Sequence, residues 1–201
     1  MTVKAVIFDI GNVLIEWQPE RFYDTIMPVA DRKNMFETID LHHMNDQVDR
    51  GNNWRDTVYA CAEDYPEYRD MIRLWHDRWI EMASPAIDQS VAILRTLRAQ
   101  GTPVFALSNF GIESFEYART IYPFLSEFDQ SYVSGYLKEV KPEPQIYQIV
   151  EDRCGIAPEH LLFADDRQEN LDAAAARGWN VHLFDGPAGW AERLKHEGLL
   201  T

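Results

Sequence analysis

The strongest constraint on this chain is how its apolar residues are dealt out: in short unbroken runs, each ending in a polar residue able to do chemistry. "VKAVIFD" (3–9) ends in Asp9, "TPVFALSN" (102–109) in Ser108-Asn109, "LLFADD" (161–166) in Asp165-Asp166, and "VHLFD" (181–185) in Asp185. Apolar runs of this length fit strands buried on both faces, as in a parallel sheet. Between them Ile87, Val91, Leu94 and Leu97 fall at helical spacing, as do Ile146, Ile149 and Val150, and "LDAAAARG" closes on Gly178, a helix stop. Strands alternating with helices predict an α/β fold, a doubly wound parallel sheet whose first strand is 3–8.

Residues 15–86 read differently. Trp54, Val58, Cys61 and Tyr65 share one helical face, and Met71, Trp75, Trp79 and Met82 share another, with no convincing strand between. The expectation is an α/β core domain of residues 1–15 and 87–201 with a helical cap, 16–86, inserted after the first strand. The tryptophan stripes then serve as the packed interior of that bundle.

With 201 residues the chain can bury one substantial core plus a smaller unit. Its net charge of −14 is spread along the sequence, so it offers no clustered Lys and Arg for nucleic acid or for an anionic membrane surface. Cys61 and Cys154 are the two cysteines, too few for a disulfide framework or a zinc site, which implies a reducing compartment. The start "MTVKAVIFD" carries too few apolar residues for a signal peptide. A cytoplasmic protein is expected, its oligomeric state unspecified.

In open parallel sheets ligands bind beyond the carboxyl ends of the strands, which is where Asp9, Ser108-Asn109 and Asp165-Asp166 fall. Three carboxylates at one edge cannot all stay ionised unless a cation joins them. An oxygen-rich site without Cys or His suits Mg²⁺, especially beside a phosphate ligand. Lys141, just before the "PEPQIYQIV" helix, can reach the same edge. A metal ion, a lysine, a serine hydroxyl and backbone amides would cradle a phosphoryl group in line for attack by Asp9.

"VIFDIGNVL", "ALSN", "VKPEP" and "LFADDRQEN", taken in order, resemble the four motifs of the haloacid dehalogenase (HAD) superfamily, and the helical insertion resembles its C1-type cap. The resemblance implies a Rossmannoid core and a role for each matching residue. Asp9 matches the nucleophile and metal ligand, and Gly11 the second metal ligand through its carbonyl. Ser108 and Asn109 match the phosphoryl-binding motif, and Lys141 the motif lysine. Asp166 matches the direct metal ligand of the fourth motif, Asp165 a neighbouring or outer-sphere ligand, and Asn170 a position where some members carry another Asp.

Gly11 departs from the pattern: phosphatases of this superfamily usually carry there the Asp that protonates the leaving group. The D-x-G-N-V form resembles a subgroup that includes sugar-1-phosphate phosphatases. The expected activity is therefore Mg²⁺-dependent hydrolysis of a small phosphate monoester, a sugar phosphate among the candidates. One alternative is 2-haloacid dehalogenation, whose metal-free enzymes resemble this chain except for neutral serines where Asp165 and Asp166 stand. The other is a non-catalytic phosphate-binding module. His42-His43 with Asp46 is a candidate source of the missing proton, although such a pair in a polar connection is more often solvated surface. Glu16, Trp17, Arg167 and Phe110 lie close to the motifs and have ordinary packing or surface roles as their simplest reading.

Overall fold

The computed structural model describes residues 2–201; Met1, which the sequence division assigns to the core's first segment, lies outside them. Strand β1 (Ala5–Phe8) is followed by β2 (Ile15–Trp17) and six helices: α1 (Pro19–Asp24), α2 (Val29–Thr38), α3 (Leu41–Asp49), α4 (Trp54–Asp64), α5 (Arg69–Asp77) and α6 (Trp79–Met82). The chain returns through β3 (Ala83–Ala86) and then alternates α7 (Asp88–Ala99), β4 (Val104–Ser108), α8 (Ile112–Ile121), β5 (Gln130–Val133) and the single turn α9 (Ser134–Leu137). It closes with α10 (Pro144–Cys154), β6 (Leu161–Asp165), α11 (Gln168–Ala175), β7 (Asn180–Leu183) and α12 (Pro187–His196).

Five strands form one parallel sheet in the order β5-β4-β1-β6-β7. β1 is its centre, and its residues alternate between two cores. Val6 and Phe8 pack on one face with Val104, Ala106, Leu162 and Ala164. Ala5 and Ile7 pack on the other with Phe105, Leu107, Leu161 and Phe163. Val6, Ile7 and Phe8 have no exposed surface, and each contributes roughly 1.5–3 kcal/mol of burial, so the end of β1 is an anchored platform. The chain winds to β4 and β5 on one side and to β6 and β7 on the other, which makes the carboxyl end of β1 the switch point of the sheet.

The doubly wound parallel sheet expected from the sequence is present, with three differences of detail. β5 was not anticipated, because only Tyr132 and Val133 of its four residues are buried and the segment lacks an apolar run. The "VHLFD" run is an edge strand, not a buried one: no residue of β7 is fully buried and Leu183 is 47% exposed. The reading of residues 15–86 as free of strands is corrected by β2 and β3, which pair antiparallel with Ile15 opposite Ala86 and Trp17 opposite Ala83. Three-residue and four-residue strands are too short to leave a periodic signal.

That ribbon carries the chain out of and back into the sheet domain, and Ile87 N–H donating to Leu14 O (2.8 Å) continues the pairing at its base. Above it Trp75, Trp79, Tyr23 and Met82 are buried. Trp17 meets Trp75 edge-on at 5.7 Å, a favoured arrangement of aromatic quadrupoles. The face Met71–Trp75–Trp79–Met82 is not one helix: it breaks at Arg78 between α5 and α6, and Met71 is only partly buried. Among the described residues no helix is long and apolar enough to cross a membrane.

Candidate active site

Asp9 is the first residue past β1. Its N–H donates to Ala164 O (2.9 Å), which fixes it against β6. Three donors converge on its Oδ1: Ser108 Oγ (2.6 Å), the Ile10 N–H (2.7 Å) and Lys141 Nζ (2.9 Å). With that oxygen held, Oδ2 is the atom free to meet a substrate. Ser108 is the last residue of β4 and is brought beside Asp9 by the parallel pairing of β1 with β4.

Lys141 lies between Asp9 and Asp165, whose Oδ2 is 2.6 Å from Nζ, and its side chain is 1% exposed. Burial alone would lower its pKa, but Asp165 and Asp9 together hold the ammonium above its usual range. Asn109 clamps the backbone of this lysine: its Nδ2 donates to Lys141 O (2.9 Å) and its Oδ1 accepts from Lys141 N–H (2.8 Å). Asn109 borders the cavity as well, but both ends of its amide are spent on positioning Lys141.

Asp165 ends β6 with no exposed surface, and both of its oxygens are engaged. Oδ1 accepts from the Arg167 N–H (2.8 Å), Oδ2 from Lys141, and both accept from Asn170 Nδ2 (3.0 Å). A carboxylate so occupied anchors Lys141 more readily than it ligates an ion. Asp166, one residue on, borders the open cavity instead. Its Oδ2 accepts from Asn12 Nδ2 (2.9 Å). Asn12 adopts a left-handed backbone (φ 55°), a conformation Asn tolerates better than most side chains, and its Oδ1 accepts from the Trp17 N–H (2.9 Å). Thus Asn12 ties the fourth motif to the foot of the helical insertion.

Asp9, Asp165 and Asp166 each offer an oxygen, and these lie within 4.8 Å of one another. One ammonium faces three carboxylates. Burial, with Asp165 and Asp166 adding to it against the pull of Lys141, pushes the Asp9 carboxyl up to about 7. Burial and Asp165 likewise raise Asp166, although Asn12 and Lys141 oppose them. Carboxyls driven toward protonation by burial and by one another mark a site short of positive charge, and a hard divalent cation fits it chemically: all the donors are oxygen. Asp9, Asp166 and the Gly11 carbonyl are the groups suited to hold one.

These groups open into a cavity of about 450 Å³ that Trp17, Trp79 and Phe110 also border. Trp79 and Phe110 are 5.5 Å apart, so residues read from sequence as packing also form an aromatic wall. Arg167 borders the same space, with its guanidinium turned to Glu169. His42 reaches the cavity too, but its Nε2 lies 3.1 Å from Glu20 Oε1 and the side chain is exposed. The cavity also receives Asp49, at the end of α3, which no motif flagged.

Gly11 is not held by steric need. A Cβ placed there would meet only Trp17 Cβ, at 3.9 Å, and the backbone is outside the left-handed region. Gly11→Ala is therefore expected to leave unfolding free energy unchanged or up to about 1 kcal/mol higher, measured by urea titration. A clear loss of stability would show that another group closes on this position.

The family model for haloacid dehalogenase-like hydrolases matches residues 3–178. The chain belongs to the haloacid dehalogenase-like hydrolases and is an enzyme of that class. It is 28% identical over 189 residues to a sesquiterpene phosphatase of Aspergillus oryzae, covering 93% of both chains. It is 30% identical over 101 residues to an (S)-2-haloacid dehalogenase of Pseudomonas fluorescens, covering 50% of this chain and 44% of that one. A HAD family enzyme from Bacteroides thetaiotaomicron, solved as a magnesium complex, shares the fold with a TM-score of 0.66 at 21% identity, covering 97% of this chain and 100% of that one.

Proposed function

We propose that this hydrolase is a Mg²⁺-dependent phosphatase that cleaves a small phosphate monoester through an aspartyl-phosphate on Asp9. The observation that carries this reading is the convergence of Ser108, Ile10 N–H and Lys141 on Asp9 Oδ1, beside the carboxylates of Asp165 and Asp166. Asp9 Oδ2 forms the new bond to phosphorus as the ester oxygen departs, and water then cleaves the acyl phosphate. Lys141, held by Asp165 and by the Asn109 clamp, offers fixed positive charge to the phosphoryl oxygens without reorganising during reaction. Ser108 orients the nucleophile. When bound by Asp9, Asp166 and the Gly11 carbonyl, Mg²⁺ would supply the positive charge that the phosphoryl group and the carboxylates together require.

Residues 16–86 act as the cap over this site, and the β2–β3 ribbon is its hinge. A cap that closes on substrate excludes water and sets specificity. Trp17, Trp79 and Phe110 line the same cavity as the charged groups, which suits a leaving group with an apolar or ring-shaped body, whether a sugar or an isoprenoid alcohol. The likeness to the sesquiterpene phosphatase over nearly its full length supports placing isoprenyl phosphates beside sugar phosphates among the substrates to test. The free thiols of Cys61 and Cys154 accord with work in a reducing cytoplasm.

Dehalogenation is the reading favoured by Gly11, since halide leaves without a proton, and by the partial match to the Pseudomonas enzyme. Asp166 at the cavity would repel a carboxylate substrate, which is why phosphate hydrolysis is preferred. A panel of sugar, isoprenyl and aryl phosphates with and without Mg²⁺, and with chloroacetate included, separates the two. The expected result is phosphate release that EDTA suppresses and Mg²⁺ restores, with no chloride release; metal-independent chloride release would overturn the proposal.

A further inference from the structure

The phosphatase reading leaves one step without an agent, since Gly11 cannot hand a proton to the departing alcohol. We propose that Asp49, on helix α3 of the cap, is the proton donor to the leaving group. The inference rests on the phosphatase reading and adds a catalytic residue to it. Asp49, at the end of α3, and Asp9, just past β1, border the same cavity.

The position of Asp49 is tightly specified. Ser134 Oγ, at the start of α9, donates to Asp49 O (2.6 Å) across the boundary between cap and sheet domain. Next to it the two segments approach closely. A Cβ on Gly111 would come within 2.4 Å of Val48 Cγ1, and one on Gly51 within 2.6 Å of Gly135 O. Only glycine permits that approach, so the end of α3 seats on the loop after β4 through Gly111 and on α9 through Gly135. The carboxyl is oriented by a two-step relay. Trp75 Nε1–H, which can only donate, gives its hydrogen bond to Asn45 Oδ1 (3.0 Å). The Asn45 amide is thereby fixed with Nδ2 donating to Asp49 Oδ2 (3.0 Å). An Oδ2 that already accepts leaves Oδ1 to carry the proton.

Asp49 is 9% exposed, and burial, reinforced by Asp46 on its own helix and by Asp9, raises its carboxyl to about 8. The nearby Gly111 amide and Lys141 pull the other way and do not offset this. A carboxyl in that state keeps its proton at neutral pH, as a general acid must. The balance closes. As the Asp9 Oδ2–P bond forms and the P–O bond of the ester breaks, the leaving oxygen takes the Asp49 proton and departs as the alcohol. The Asp49 carboxylate then accepts a proton from the water that cleaves the acyl phosphate, releasing inorganic phosphate and restoring both aspartates.

The test is the dependence of kcat/KM on the leaving group, which reports the steps up to alcohol departure. Wild type and Asp49→Asn are assayed with Mg²⁺ on a series running from 2,4-dinitrophenyl phosphate to alkyl phosphates. Asp49→Asn is expected to lower kcat/KM on alkyl phosphates about a hundredfold to ten-thousandfold, and on dinitrophenyl phosphate by less than about tenfold, because that anion leaves without a proton. Equal losses on every ester, which a purely structural role would produce, or no loss on the alkyl esters, would overturn the assignment. Should the variant not fold, the wild type alone decides: a shallow dependence on leaving-group basicity supports a donor, and a steep one overturns it. Failure of the wild type to hydrolyse even dinitrophenyl phosphate would instead strike the phosphatase reading, and this proposal with it.

Discussion

Asp9→Asn is expected to lower phosphate release by at least about 10⁴-fold, the scale on which enzymes respond to loss of the group that makes the covalent bond, with the fold intact. The substitution is nearly isosteric. Asn retains an Oδ1 able to accept from Ser108, Ile10 N–H and Lys141, so the contacts that seat residue 9 survive. What disappears is the second oxygen: an amide nitrogen in place of Oδ2 has no available lone pair with which to attack phosphorus. Stability should hold, because the substitution removes a charge that burial and two neighbouring aspartates already disfavour, while Lys141 keeps Asp165 as its partner. Steady-state turnover and a thermal melt read both halves. Substantial residual activity in a folded variant would overturn the assignment of the nucleophile.

Lys141→Met should disable the enzyme and also weaken the fold, and the two effects have one origin. The ammonium is sealed between Asp9 and Asp165, and removing one member of a buried ion pair typically costs about 3–5 kcal/mol because the remaining charge is left unpaired. The variant should show that loss in urea titrations at pH 8 with metal chelated. The loss should shrink toward pH 5, for a reason whose sign can be worked out. Asp9 already has a folded-state value of about 7 against 3.8 when unperturbed, and Lys141 is one of the groups holding it down, so the variant's value lies higher still. Across that interval the native state binds a proton that the unfolded chain has released. Stability is therefore present below about pH 4 and lost as pH rises through the folded value. A loss independent of pH would show that missing packing around the lysine stem, not unpaired charge, is responsible.

How much of this was legible beforehand can be traced residue by residue. Asp9, Ser108 and Asp165 could be grouped because each stands at the end of an apolar run, and parallel strands in one sheet bring their carboxyl ends to one edge. Lys141 was harder, since it sits in a loop: its position just before the "PEPQIYQIV" helix let it reach the same edge, and the resemblance of "VKPEP" to a family motif implied its role. The resemblance separated Asp166, as direct metal ligand, from Asp165, as a neighbouring or outer-sphere one, but the sealing of Asp165 around Lys141 was not readable. Adjacent residues at a strand end point to opposite sides, so one is sealed around Lys141 and the other borders the cavity. Asn109 was assigned to substrate, whereas its amide clamps the lysine backbone.

The cap is where sequence reading ran out. Asp49 carries no motif, and on helix α3 it is one acidic residue among several in "LHHMNDQVD". Its place over the site follows from the seating of Val48 against Gly111 and of Gly51 against Gly135, and from a hydrogen-bond relay that begins at Trp75, 26 residues further along the chain. The central strands β1, β4 and β6 and the chemistry at their ends were written in local pattern, because burial on both faces of a parallel sheet leaves an apolar run, whereas the edge strand β5 leaves none. Which residues of the helical insertion border the cavity depends on helix packing, where the angle and depth of contact are set by side chains distant in sequence and leave no periodic trace.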